Sequence, residues 1–91
     1  MIGSVRLELH LPGCRSLKDK RGILRRFLEG TRRTYGVAIA EVDAQDEWQR
    51  AVVEAAAVAN ERAHLHSVLT HVVNDADRGG EIILTHCDMS V

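Results

Sequence analysis

Val5, Leu7, Leu9 and Leu11 alternate with Arg6, Glu8 and His10. A period of two over this length predicts a half-buried strand, and Pro12-Gly13 ends it. From Ser16 the period changes. Leu17, Leu24, Phe27, Leu28, Thr31 and Tyr35 gather on one side of a helix. Ser16 stands at the N-cap position with Asp19 three residues on, an aspartate version of the capping box, and Gly36 is a natural C-terminal stop. Gly30 is a poor helix former late in the segment. Val37 to Val42 is short and partly β-branched, bounded by Gly36 and Asp43, and reads as a second strand. Asp43-Ala44-Gln45-Asp46 has the composition of a turn.

The stretch from Trp48 to Ala59, WQRAVVEAAAVA, is ambiguous. Its alanines favour helix, whereas Val52, Val53 and Val58 fit a strand, and it is apolar nearly all round. Periodicity leaves both open. The tight turn after the second strand favours a hairpin partner. As a strand, it places Ala51, Val53, Ala55, Ala57 and Ala59 on one face, small enough for helices to lie close. Trp48, Arg50, Val52, Glu54, Ala56 and Val58 share the other. Asn60 is the expected N-cap of a second helix, with Leu65, Val68, Leu69, Val72, Val73 and Ala76 as its buried stripe. Asp77-Arg78-Gly79-Gly80 is a loop, and Glu81 to Met89 is a last strand of either parity. The order β-α-β-β-α-β, without repeat or linker, predicts one α+β domain over residues 1–91. Its form is ferredoxin-like: a four-stranded antiparallel sheet of order 4-1-3-2 with two helices on one face.

Charge distinguishes the first helix from the rest. The segment Arg15–Arg33 holds eight of the twelve Lys and Arg residues against only Asp19 and Glu29, a formal charge of +6. With a net charge of −1, the remaining residues carry −7. Opposite the apolar side lie Arg15, Lys18, Arg25, Arg26, Arg32 and Arg33, with Arg21 at the flank. Arginine predominates, and its planar fork matches the bidentate geometry of phosphate. Clustered bases also gain from counterion release on a nucleic-acid backbone. Lys18, Arg21, Arg25, Arg26, Arg32 and Arg33 are therefore the candidate nucleic-acid-binding residues, with structured RNA or the ribosome as the partner. The plainer reading is a solvated helix face, paired with the acidic remainder of the same fold. A third reading is a homodimeric interaction module whose basic helix docks an acidic partner. Val52, Ala56 and Val58 on the open sheet face call for cover, and Val37–Val42 offers an edge for pairing. Trp48 is then an interface anchor or an ordinary core-edge residue. Base stacking on that face is not expected. RNA-binding sheets present aromatics on their central strands, and these strands offer Arg6, Glu8, His10, Arg50, Val52 and Glu54, with only Trp48 at one end.

Candidate chemistry adds little. His64 and His71 share a helix flank but lie about 10.5 Å apart along the axis, and His64 and His66 point to different faces. His10 and His86, with Cys87 beside them, are neighbours only if the first and last strands pair, and no HExxH or CxxC spacing supports a metal. Glu41, Asp43, Asp46 and Glu47 form an acidic hairpin that reads as turn formers and solvated charges. Cys14 precedes a helix N-terminus, a place that lowers a thiol's pKa, but no base stands at a defined spacing. No enzyme, cofactor or metal is expected. No apolar run approaches the roughly 18 residues of a membrane span, and MIGSVRLELHL lacks a signal-peptide core. Cys14 and Cys87 then read as reduced thiols in a cytoplasm.

Three patches resemble a known family: SLKDKR at Ser16–Arg21, VAIAEVDAQDEWQR at Val37–Arg50 and AVANERAH at Ala57–His64. With the opening strand and its Pro-Gly turn, they are similar in order and spacing to the YlxP-like family of small bacterial proteins of unknown function, over about Met1 to Val73. The resemblance implies a ferredoxin-like fold with Trp48–Ala59 as a strand, and a bacterial cytoplasmic setting. Genes of that family commonly lie among translation genes, beside those for initiation factor two and ribosome-binding factor A, which points to RNA or ribosome work. It carries over no catalytic residue.

Overall fold

A computed structural model describes all 91 residues. The alternation at the N-terminus becomes β1 (Ile2–His10), with Val5, Leu7 and Leu9 buried under the helices. Helix α1 (Leu17–Tyr35) starts where the capping residues place it. Ser16 Oγ accepts from the Asp19 amide at 3.0 Å, and Asp19 Oδ2 accepts from the Arg15 amide at 3.0 Å. The carboxylate thus reaches one residue further back than in the usual box. At the other end Gly36 takes a left-handed φ of 64° and its amide bonds to Arg32 O, a glycine stop in the usual sense.

Strand β2 (Ala38–Asp43) runs one residue later than the pattern predicts at each end. The ambiguous stretch is β3 (Arg50–Val58), hydrogen-bonded to β1 on one side and β2 on the other. Ala51, Val53 and Ala55 are buried towards the helices, while Val52, on the opposite face, is also fully buried. The expectation that Val52 needs cover from a second subunit is therefore corrected. It lies between Glu8 and Asp43 in the sheet, and the Arg6–Asp43 pair must cross β3 to join β1 with β2.

Helix α2 (Arg62–Ala76) buries Leu65, Leu69, Val72 and Ala76. Its N-cap is Glu61, with no side-chain hydrogen bond, rather than Asn60. The cause is upstream. Ala59 and Met1 exchange backbone bonds at 3.0 and 2.8 Å, which holds the chain extended up to Asn60. Gly3 lets α2 approach β1 closely, since a Cβ there would stand 3.0 Å from Leu65 and 3.1 Å from Leu69. Strand β4 (Ile83–Ser90) pairs with β1 and completes the order β2-β3-β1-β4, which is the 4-1-3-2 arrangement read from its other edge. Leu24 and Phe27 of α1 join the α2 stripe over the sheet in one core. No helix is long and apolar enough to cross a membrane.

Candidate functional site

The bases of α1 divide into two sets. Lys18, Arg21, Arg25 and Arg33 are exposed, and none has a carboxylate within 4.0 Å. The reading in which the acidic remainder neutralises the helix fails for these four. Arg26 reaches Glu81 at 3.8 Å, an exposed and loose pair of the kind that contributes little. Arg32 is exposed but donates from Nη2 to Ile39 O, on strand β2 at the sheet edge. Lys18, Arg25 and Arg32 recur every seven residues, close to two turns, so they form a nearly straight row of about 21 Å. Glu29 lies within this face and pairs with none of the bases. Between the bases is a shallow hollow of about 440 Å³, lined by Lys18, Asp19, Gly22, Ile23, Arg25 and Arg26.

Gly22 forms part of that hollow, and a Cβ built on it meets nothing within 4 Å. An exposed helical glycine costs about 1 kcal/mol relative to alanine. No internal packing at Gly22 explains that cost.

Lys20 belongs to the second set. It is 1% exposed, the one buried base of the helix. Its ammonium donates to Ala44 O at 2.8 Å and Glu47 O at 2.7 Å, and lies 2.8 Å from Glu41 Oε2. Two carbonyls accept hydrogen bonds from the ammonium and the Glu41 carboxylate neutralises its charge, so the group is committed to the fold rather than to a ligand. Ala44 is held in a left-handed conformation (φ 59°), with its amide bonded to Asp43 Oδ1 at 2.8 Å. Further along the hairpin, the Gln49 amide donates to Cys14 O at 3.0 Å and to Pro12 O at 3.3 Å. The SLKDKR and VAIAEVDAQDEWQR patches are thus one device: a buried lysine and a glutamine tie the β2–β3 hairpin to the start of α1. Composition hides Lys20 among the other bases. Its signal is position, on the core side of the helix one turn before Leu24 and two before Phe27.

The acidic hairpin does not gather its carboxylates into one centre. Glu41 turns to Lys20, Asp43 to Arg6 and Glu47 to Arg50, whose guanidinium also binds Glu8 at 3.0 Å. Hydrogen bonds to Glu8 and then Glu47 hold Arg50 protonated above its ordinary range. Burial pushes the Cys14 thiol up, and Asp19 adds to this against the opposing pull of Lys20. The position ahead of the helix therefore yields a thiol rather than a ready thiolate. His86 lies opposite Glu8, while His10 bonds through Nδ1 to Gln49 O at 3.0 Å. Tyr35 donates to Asp75, a bond that raises its phenol pKa, and stacks with His71 at 6.3 Å. This cluster ties α1 to α2.

A ferredoxin-like α+β domain with one cationic helix face, and a hairpin locked to that helix from within, defines the class of this molecule. The sequence matches the family described as "Protein of unknown function (DUF503)" over residues 2–89, and the chain belongs to that family. It is 35% identical over 82 residues to a Bacillus subtilis (strain 168) protein described as "Uncharacterized protein YlxP", covering 90% of this chain and 89% of that one. The relationship spans the hairpin lock and the basic helix alike.

Proposed function

We propose that this protein is a non-catalytic RNA-binding module of the cytoplasm. Lys18, Arg21, Arg25, Arg26, Arg32 and Arg33 meet the phosphate backbone of structured RNA, with the ribosome as the first candidate. The observation that carries this reading is the exposed row on α1 in which Lys18, Arg21, Arg25 and Arg33 have no carboxylate partner. Positive charge left unpaired by a chain of net charge −1 is available to phosphates, and each contact releases counterions. Recognition of this kind follows backbone geometry rather than base identity. The reading without catalysis is supported by the pairing of Glu41 with Lys20, of Asp43 with Arg6 and of Glu47 with Arg50, and by the burial of Cys14.

Co-sedimentation with ribosomal subunits over a salt series tests the reading. The variant Lys18→Glu/Arg25→Glu/Arg33→Glu changes only bases without carboxylate partners, so circular dichroism should remain that of the wild type. Salt-sensitive binding by the wild type and none by the folded variant is the expected result. Equal sedimentation of both would reject the helix as the contact.

A second reading has its own observation. Ile2 and Val58, directly opposite each other on β1 and β3, are each 76% exposed on the open sheet face. Four residues along the same face of β1, Arg6 is already paired with Glu54 and Asp43, and Arg50, at the far end of β3, with Glu8 and Glu47. An apolar pair on a face of pre-neutralised charges suits an isologous contact with a second copy. In that homodimer the basic helix would dock an acidic protein. Partner binding that survives nuclease treatment favours this reading over RNA.

A further inference from the structure

The hollow on α1 carries a finer assignment, which rests on the RNA-binding reading. We infer that Gly22 is the seat of one phosphodiester group of the RNA backbone, gripped by Lys18 and Arg25 and closed on its third side by Arg26. Gly22 is exposed, and neither close packing nor an unusual φ calls for a glycine there. Lys18 is one turn before it, and Arg25 and Arg26 one turn after, so all three border the same patch of helix surface. These residues, with Asp19 and Ile23, line the one hollow on the molecule. Lys18 and Arg25 have no internal partner to release, and Arg26 has only its loose 3.8 Å contact with Glu81. The Asp19 carboxylate, the one anion in the lining, is drawn back towards the Arg15 amide by a 3.0 Å bond. Any side chain at position 22 would stand among these three cations, where the phosphate oxygens are to lie.

Gly30 supplies the matched control. It lies in the same helix, and a Cβ there likewise meets nothing within 4 Å, yet it is outside the hollow. Gly22→Gln and Gly30→Gln both replace a poor helix former with a good one and change no charge, so both should raise Tm. Binding of a fluorescein-labelled RNA hairpin by anisotropy should separate them. Gly22→Gln should bind about fivefold more weakly at about 0.1 M salt, with a salt slope shallower by about 0.7–0.9, the contribution of one phosphate. Gly30→Gln should bind as the wild type does. Salt-dependent wild-type binding that Gly22→Gln leaves unchanged overturns the seat while leaving the RNA reading intact. A wild type that does not bind the hairpin overturns both. Inorganic phosphate is the remaining arm: if it binds the wild type and not Gly22→Gln while the wild type does not bind the hairpin, the seat takes a free phosphate, and the phosphodiester assignment falls.

Discussion

Lys20 and Arg25 are both bases on one helix, five residues apart in sequence, and they do opposite work. Arg25 faces solvent without a partner, whereas Lys20 is enclosed, donates to Ala44 O and Glu47 O and forms an ion pair with Glu41. Removing one member of a buried pair leaves the other charged and unsolvated, which costs about 3–5 kcal/mol. Lys20→Met keeps the length of the side chain and removes the ammonium. It should lower the unfolding free energy obtained from urea denaturation by an amount in this range, while Arg25→Met should change it by less than about 0.5 kcal/mol, as exposed substitutions do. A Lys20→Met protein as stable as the wild type would remove the lock from the account. Sequence reading counts Lys20 in the charge of the segment and leaves it out of the cationic face, but gives it no role of its own. Helical spacing distinguishes it, since Lys20, Leu24, Phe27 and Thr31 form a single buried row.

Elements were most legible where one local signal dominates. The Ser16 cap and the Gly36 stop place α1 at Leu17–Tyr35, while the alternation from Val5 to Leu11 finds β1 but misses its first three residues. The elements that resisted did so for tertiary reasons. Strand β3 is apolar on both faces because Val52 is covered on the open face, where Arg6 and Asp43 pair across the strand, so its periodicity carries little face information. Strand β4 has a register shift between Glu8 and Leu9 of its partner, and Thr85 is the extra residue, donating to Glu8 O at 3.0 Å. A strand that changes parity midway fits no single alternation. Helix α2 starts later than Asn60 because Met1 and Ala59 pair first. Its packing on β1 depends on Gly3, and a branched side chain there would enter the space of Leu65 and Leu69. Gly3→Val should cost about 1–3 kcal/mol, the usual penalty of overpacking. An unfolding midpoint unchanged by this substitution would show that α2 can shift away at no cost.

Across the whole molecule, the two features most visible in the sequence have separate roles. Two of the three patches that carry the family resemblance, SLKDKR and VAIAEVDAQDEWQR, meet in the structure as the lock between hairpin and helix. The basic row accounts for the proposed activity, and it stands clear of the lock except where Arg32 supports Ile39 on β2. Charge and helical spacing in the sequence single out the six bases that the proposal uses. Composition did not reveal that four of them lack carboxylate partners, because pairing depends on where the folded chain carries its acids. The most direct measurement of the central claim is the dependence of the RNA association constant on salt, for the wild type and for Lys18→Gln/Arg25→Gln/Arg33→Gln. If these bases contact phosphates, the neutral variant should keep the wild-type unfolding curve while its log–log slope becomes shallower by about 2–3, one phosphate contact of about 0.7–0.9 for each base removed. A slope equal to that of the wild type would mean that the row on α1 does not touch the backbone, and the account of function would fail while the account of the fold remained.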